Sequence, residues 1–410
     1  MTARTLRRIV ATTDVHSALD QAPAMLTHLH AARETSLVVD CGDFFEGSGY
    51  YRLGGGGIER QILLQLYDVL APGNHGWPHH FEPDLRELTV CANAVDAATG
   101  APLFRRLHLA GIGGRTVAVT AVIGSQAFSA IPAHQRAGHR ITDPARALVE
   151  LLLAHHHEAD AWILLSHSGF EEDLKLADAC PFLDVIFAGH CHSDHYAPEP
   201  VGNTLVVKGA ELGAGYALAE PVGSGWGAHT RTFPRIEQIA AELTAVTEQI
   251  GLIRHRLAAP LGPVTNRWRG TTPDRHDLLA ATATRMHTGL GADAVILNET
   301  ALRPTALGDV LRLGDLLAVE PFGNQLVHAP LPEALAHDLP ALLAHLTNRA
   351  GPLVTAPDPL PAGLRTVLTT DYLAETFLDG RGHDAGLHLG QAVRHVLAGA
   401  LPEHGEGDPR

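Results

Sequence analysis

Short apolar runs rich in β-branched residues alternate with amphipathic stretches through the first half of the chain, and nearly every run ends in a polar cluster. Runs of this kind read as buried strands and the stretches between them as helices. The pattern predicts strands at Arg8–Thr13, Ser36–Asp40, Asp68–Ala71, Val90–Asn93, Arg115–Val122, Ala161–Leu165, Asp184–Ala188, Thr204–Lys208 and Ala217–Glu220. It predicts helices at Pro23–Arg33, Ile58–Leu66, Ala145–His156 and Glu171–Ala179. The glycine-rich Gly47–Gly57 lacks the Lys-Ser/Thr of a P-loop, so a flexible connection is expected there. Strands alternating with helices predict an α/β layered domain.

The second half begins with a polar stretch, Pro234–Leu257, expected as a connecting helix. Beyond it the pattern predicts a smaller α/β domain. Its strands are expected at Ala292–Leu297, Gln325–Pro330 and Thr366–Thr369, and its helices at Asp274–Thr288, Leu311–Ala318, Pro332–Arg349 (interrupted at Pro340) and Gly390–Ala400. The expected organisation is therefore a first domain over 1–230, a linker over 231–260, a second domain over 261–402 and a polar tail.

The polar clusters carry the chemistry. Five strand ends offer Asp14 with His16, Asp43, Asn74 with His75, His167, and His190 with His192. Loops at the carboxyl ends of strands are where α/β folds place their ligand sites. Imidazole is the commonest metal ligand among side chains. A single His-x-His pair in a chain with 27 histidines is weak evidence; five successive clusters, each just past an apolar run, predict a metal site. The run His155–His157 reads instead as a solvated helix end.

Composition narrows the partners. The formal net charge of −15 argues against nucleic acid or an anionic membrane surface as the main partner. An anionic small molecule remains compatible, because bound metal inverts the local field. No run approaches the length of a membrane span, and the N-terminal residues lack the apolar core of a signal peptide. Cys41, Cys91, Cys180 and Cys191 have neither disulfide density nor zinc-site spacing. A cytoplasmic location is the expectation. The oligomeric state is not legible.

The succession TTDVHS, DCGDFFEGS, PGNH, LLSHSGFEED and FAGHCHS resembles the calcineurin-like metallophosphoesterases, and more closely their two-domain 5'-nucleotidases. ADAVILNETALRP, GDLLAVEPFGNQL and TTDYLAETFLDG extend the likeness through the second half, more loosely. The resemblance implies a layered sandwich of mixed sheets flanked by helices, with a smaller α/β nucleotidase-type domain behind it. It implies two divalent metal ions (Mn, Zn, Fe, Co or Mg). Carried over by position, Asp14, His16, Asp43 and His192 would hold one ion. Asp43, Asn74, His167 and His190 would hold the other, with Asp43 bridging. His75 would act beside the phosphate as a catalytic residue, and Cys191 would point away.

The resemblance also implies the activity: hydrolysis of a phosphate ester such as a nucleoside 5'-monophosphate. The alternatives are a 2',3'-cyclic nucleotide phosphodiesterase, a sugar-nucleotide pyrophosphatase, or a degenerate binding protein. Asn298, Arg303, Phe322 and Asp379 match substrate-binding positions. Three departures stand out. The acidic residue expected three positions after His75 is Pro78, leaving Glu82, Asp84 or a backbone carbonyl to orient that histidine. The two glycines expected after Asn298 are Thr300 and Ala301, and the second stacking ring is missing from its usual place, leaving Phe377 or Tyr372.

Overall fold

The computed structural model describes residues 4–192, 197–235, 239–378, 380 and 382–398. The chain divides into two compact units, Met1–Ile253 and Arg254–Arg410.

In the first unit, Arg8–Thr12, Ser36–Asp40 and Val69–Leu70 pair in parallel. The antiparallel strands Gly215–Val222 and Gly225–Thr232 complete that sheet. A second sheet of six strands has Arg115–Ile123, Ala161–His167, Val185–Ala188 and Thr204–Lys208 running parallel at its centre. The two sheets face each other. Ile9, Leu37 and Val39 of the first share a core with Val119, Ile163, Leu165 and Phe187 of the second. Side chains alternate across a strand, so Leu164, Ile186 and Val206 point the other way. They bury Leu148 and Leu151 of helix Pro144–His155 and Leu176 of helix Phe170–Ala179. This is the expected layered arrangement, and it brings several parallel strands to an end at one rim.

The second unit has a five-stranded sheet whose central strands are Val295–Asn298, Thr366–Thr370 and Gln325–Pro330. Helices Arg275–Leu290 and Leu389–Ala398 bury one core with it. Helix Leu339–Ala350 contributes to another, with Leu342 and Leu346 packed on Ile296 and Val367.

Four expectations change. Residues 49–54 are helical. Ser48 accepts from the Tyr50 N–H at the start, Gly55 closes the turn with φ 60°, and Tyr50 is buried. A cap, a left-handed glycine and one buried ring outweigh the low glycine propensity. The connecting helix covers only Thr244–Leu257, anchored by Val246, Ile250 and Ile253. Val90–Asn93 forms only an isolated bridge, and the strand nearby is Ala94–Asp96. The stretch Pro332–Arg349 is interrupted as expected, but the break falls at 337–338, between helices Glu333–Ala336 and Leu339–Ala350, rather than at Pro340. Pro340 sits in the first turn of Leu339–Ala350, where its missing N–H costs nothing. Among the described residues no helix is long and apolar enough to cross a membrane.

Candidate metal centre

Each candidate ligand leaves the rim from the end of a strand. Asp14 and His16 follow Arg8–Thr12, Asp43 follows Ser36–Asp40, and Asn74 and His75 follow Val69–Leu70. His167 ends Ala161–His167, and His190 and His192 follow Val185–Ala188. The backbone there is contorted. Every non-glycine residue with positive φ among those described belongs to these loops or is bonded to them: Asp14, His16, Ser17, Asp43, Glu46, His190 and Leu212. Leu212, far along the chain, donates its N–H to the Asp14 carbonyl at 2.9 Å. Strain of this kind collects at functional sites. Packing is equally close at Gly73, where a Cβ would stand 2.0 Å from Asp43 Oδ1.

Two donor groups share Asp43. One joins it to His16 and His75, the other to His167 and His190, with donor atoms in each group within 4.8 Å of one another. His16 Nε2 is 3.8 Å from Asp43 Oδ2 and 3.9 Å from Asp14 Oδ1. Asn74 Oδ1 lies 3.2 Å from His167 Nε2 and 3.0 Å from His190 Nδ1. Asp14 accepts from the Thr13 hydroxyl at 2.6 Å and from the His190 N–H. The ring of His192 stands 5.7 Å from that of His16, and its Nδ1 donates to Glu211. All seven expected ligand positions therefore gather at one rim, with His75 among them. Cys191 turns away as expected, its sulfur accepting from the Phe170 N–H at 3.1 Å.

The donor chemistry fits a divalent cation. His167 Nδ1 is 2.9 Å from the Cys41 carbonyl, which can only accept, so that nitrogen carries the proton. The opposite nitrogen, Nε2, then faces two further acceptors, Asn74 Oδ1 and Asp43 Oδ1, the latter at 3.3 Å. Converging electron-pair donors of nitrogen and oxygen type suit a first-row metal. The protonation tendencies follow from the same crowding. Burial alone would lower His167, but Asp43 and Asp14 raise it to about 9. Burial alone would raise Asp43, yet His167 and His75 hold it well below the usual carboxylate range. Burial raises Asp14. Burial and the neighbouring His167 bring His190 down to about 4, keeping that imidazole neutral.

His75 is oriented by a residue that sequence reasoning missed. Glu46 Oε2 accepts from its Nδ1 at 3.0 Å. The two side chains expected there are engaged elsewhere: Glu82 accepts from His79 and Arg60, and Asp84 accepts from Arg60. Glu46 follows Asp43 on the same loop, so its nearness was readable; its direction was not.

In the second unit the Arg303 guanidinium lies 5.2 Å from the Phe322 ring centroid. The buried Asn298 donates its amide to the Thr300 hydroxyl at 2.6 Å, and that hydroxyl donates to the Ala350 carbonyl. Phe377 packs against the core beside Leu342 and Leu346 and meets Tyr372 edge-on at 5.6 Å. Asp379 lies outside the described residues.

Comparison with known proteins agrees with this architecture. Residues 7–194 match the family described as calcineurin-like phosphoesterase. An uncharacterized metallophosphoesterase of Bacillus subtilis (strain 168), YunD, is 24% identical over 203 residues, and the chain spans only 43% of that relative's length. The crystal structure of a 5'-nucleotidase precursor from Thermus thermophilus superposes with a TM-score of 0.70 at 19% identity, covering 96% of both chains. The sulfate thiohydrolase SoxB of Thermus thermophilus reaches 0.71 at 16% identity, covering 97% of this chain and 95% of its own. At such identities these structures share the fold.

Proposed function

We propose that the chain, whose residues 7–194 match the calcineurin-like phosphoesterase family, is a phosphomonoesterase using two divalent metal ions. Its proposed substrate is a nucleoside 5'-monophosphate or a related phosphorylated nucleoside. The observation that carries the reading is Asp43, one buried carboxylate common to two groups of nitrogen and oxygen donors. When bound, the ions would polarise phosphoryl oxygens and acidify water at neutral pH.

The protein's own groups have separate tasks. Asp43 stays ionised and serves both donor groups. Asp14, His16 and His192 hold one position, and Asn74, His167 and His190 the other. His75, fixed through Nδ1 by Glu46, is left with Nε2 to hold or deliver a proton at the leaving oxygen. Near-complete burial of Asp14 and Asp43 strengthens every charge interaction at the rim. Asn298, Arg303 and Phe322 are proposed as nucleoside-binding residues of the second unit. Thr300, whose hydroxyl accepts one of the two Asn298 amide N–H bonds, is proposed to narrow the substrate range.

The test is phosphate release from nucleoside monophosphates, 2',3'-cyclic nucleotides, sugar nucleotides and sugar phosphates. Chelator-treated protein would receive Mn, Co, Zn or Mg. Fast turnover of one nucleoside monophosphate, lost in Asp43→Asn, supports the proposal. Preference for a cyclic or sugar nucleotide would move the activity to the diesterase or pyrophosphatase reading. Inactivity on every ester with every metal would sink it.

A further inference from the structure

Lys208 ends the strand Thr204–Lys208 directly beside Ala188, from which the chain runs on to His190 and His192. It is fully buried. The chain has only two lysines among its 30 basic residues, and the other, Lys175, pairs with Glu172 on an exposed helix face. A buried ammonium requires a partner. Lys208 Nζ donates to one carboxylate oxygen of Glu211, and the other oxygen accepts from His192 Nδ1.

The backbone around Glu211 is tied to the same centre. Leu212 takes a φ of 54° and bonds the Asp14 carbonyl. The two ends of the rim are held differently. His167 is fully buried and anchored by a main-chain carbonyl, whereas the His192 side chain is 50% exposed and its Nδ1 is anchored by a side chain. A carboxylate on the far nitrogen of a metal-binding imidazole fixes its tautomer and ring direction and raises its basicity.

We infer that Glu211, pinned by Lys208, is a positioning residue that sets the metal affinity of the position served by His192 and leaves the His167/His190 position unaffected. The inference rests on the two-metal reading above.

The experiment is calorimetric titration of the metal-free full chain with Mn²⁺ alone, followed by metal analysis after desalting. Wild type is expected to take up two equivalents. Glu211→Ala should keep one at unchanged affinity and bind the second about 10- to 100-fold more weakly. Glu211→Gln, which retains an acceptor without the charge, should fall between, and Lys208→Met should weaken the same position. A merely structural role would lower the melting temperature of the metal-free protein and leave the titration alone. Two equivalents at wild-type affinity in Glu211→Ala would overturn the inference, as would equal weakening of both. If Glu211→Ala does not fold, the Gln variant carries the same comparison. Wild type that binds no Mn²⁺ would overturn the two-metal reading and this inference with it.

Discussion

Glu46 and His75 form a carboxylate–imidazole pair, 3.0 Å from Oε2 to Nδ1, in which the carboxylate comes from the loop that carries Asp43. The pair fixes the ring direction of His75 and commits Nδ1 to donation. If His75 serves the leaving oxygen, the pair matters most when that oxygen is a poor leaving group. Glu46→Ala should therefore lower kcat on an alkyl phosphate by about 10- to 100-fold, part of the roughly 10²–10⁴ that proton transfer contributes. On an aryl phosphate with an acidic phenol the loss should be several-fold smaller. Equal losses on both substrates would show that Glu46 does not act through His75.

Removing metal should cost stability as well as activity. A ligand at one hundred times its dissociation constant stabilises the folded state by about 2.7 kcal/mol per site. The melting temperature of chelated protein should rise on adding Mn²⁺ or Zn²⁺. In Asp43→Asn, which weakens both donor groups at once, the rise should largely vanish. An unchanged shift in that variant would remove Asp43 from the metal centre.

His80, which is not itself a proposed ligand, gives a further pH dependence. It is buried between the rings of Phe45 and Phe104. The Thr89 hydroxyl donates to the Leu85 carbonyl, so it accepts from His80 Nδ1–H at 3.1 Å. Burial, with His79 adding to it, brings His80 from 6.5 to about 3. The unfolded chain therefore binds the proton first as pH falls. The contribution of neutral His80 is complete above pH 6.5 and is lost progressively below it, by about 1.4 kcal/mol per pH unit. Urea unfolding of metal-free protein between about pH 6.5 and 5 should be less acid-sensitive by that slope in His80→Gln. Identical slopes would mean His80 charges readily in the fold.

The rim was legible because its signals are local. An apolar run followed at once by Asp, Asn or His announces both the strand and the side chain at its end, and five repeats leave little freedom. Glu211, held by Lys208, meets His192 across strand pairing rather than along the chain, so no local pattern announces either residue. Lysine's rarity in this sequence was the available signal. The helix over residues 49–54 is hidden in the sequence because a glycine-rich stretch has low helix propensity, whereas the cap and the burial of Tyr50 are tertiary facts. The orientation of His75 failed for a similar reason. The position three residues forward is Pro78, while the partner, Glu46, sits on another loop.

The substitution at Thr300 should control which substrate is used and leave the chemistry alone. Its hydroxyl accepts the Asn298 amide at 2.6 Å and passes its own hydrogen to the Ala350 carbonyl. While that chain of bonds stands, one of the two Asn298 amide N–H groups is committed within the protein and is not offered to a nucleobase. Thr300→Ala removes the hydroxyl and keeps the Cβ and its backbone preference. The Asn298 amide then needs a new acceptor, and a bound base edge can supply one. One hydrogen bond is worth about 0.5–1.5 kcal/mol, so KM for nucleoside monophosphates should change by up to about tenfold, unequally among bases. kcat and KM for a phosphate ester without a base should stay at wild-type values. A uniform change across all substrates would place Thr300 outside recognition and make its bond to Asn298 a purely structural tie of the strand end.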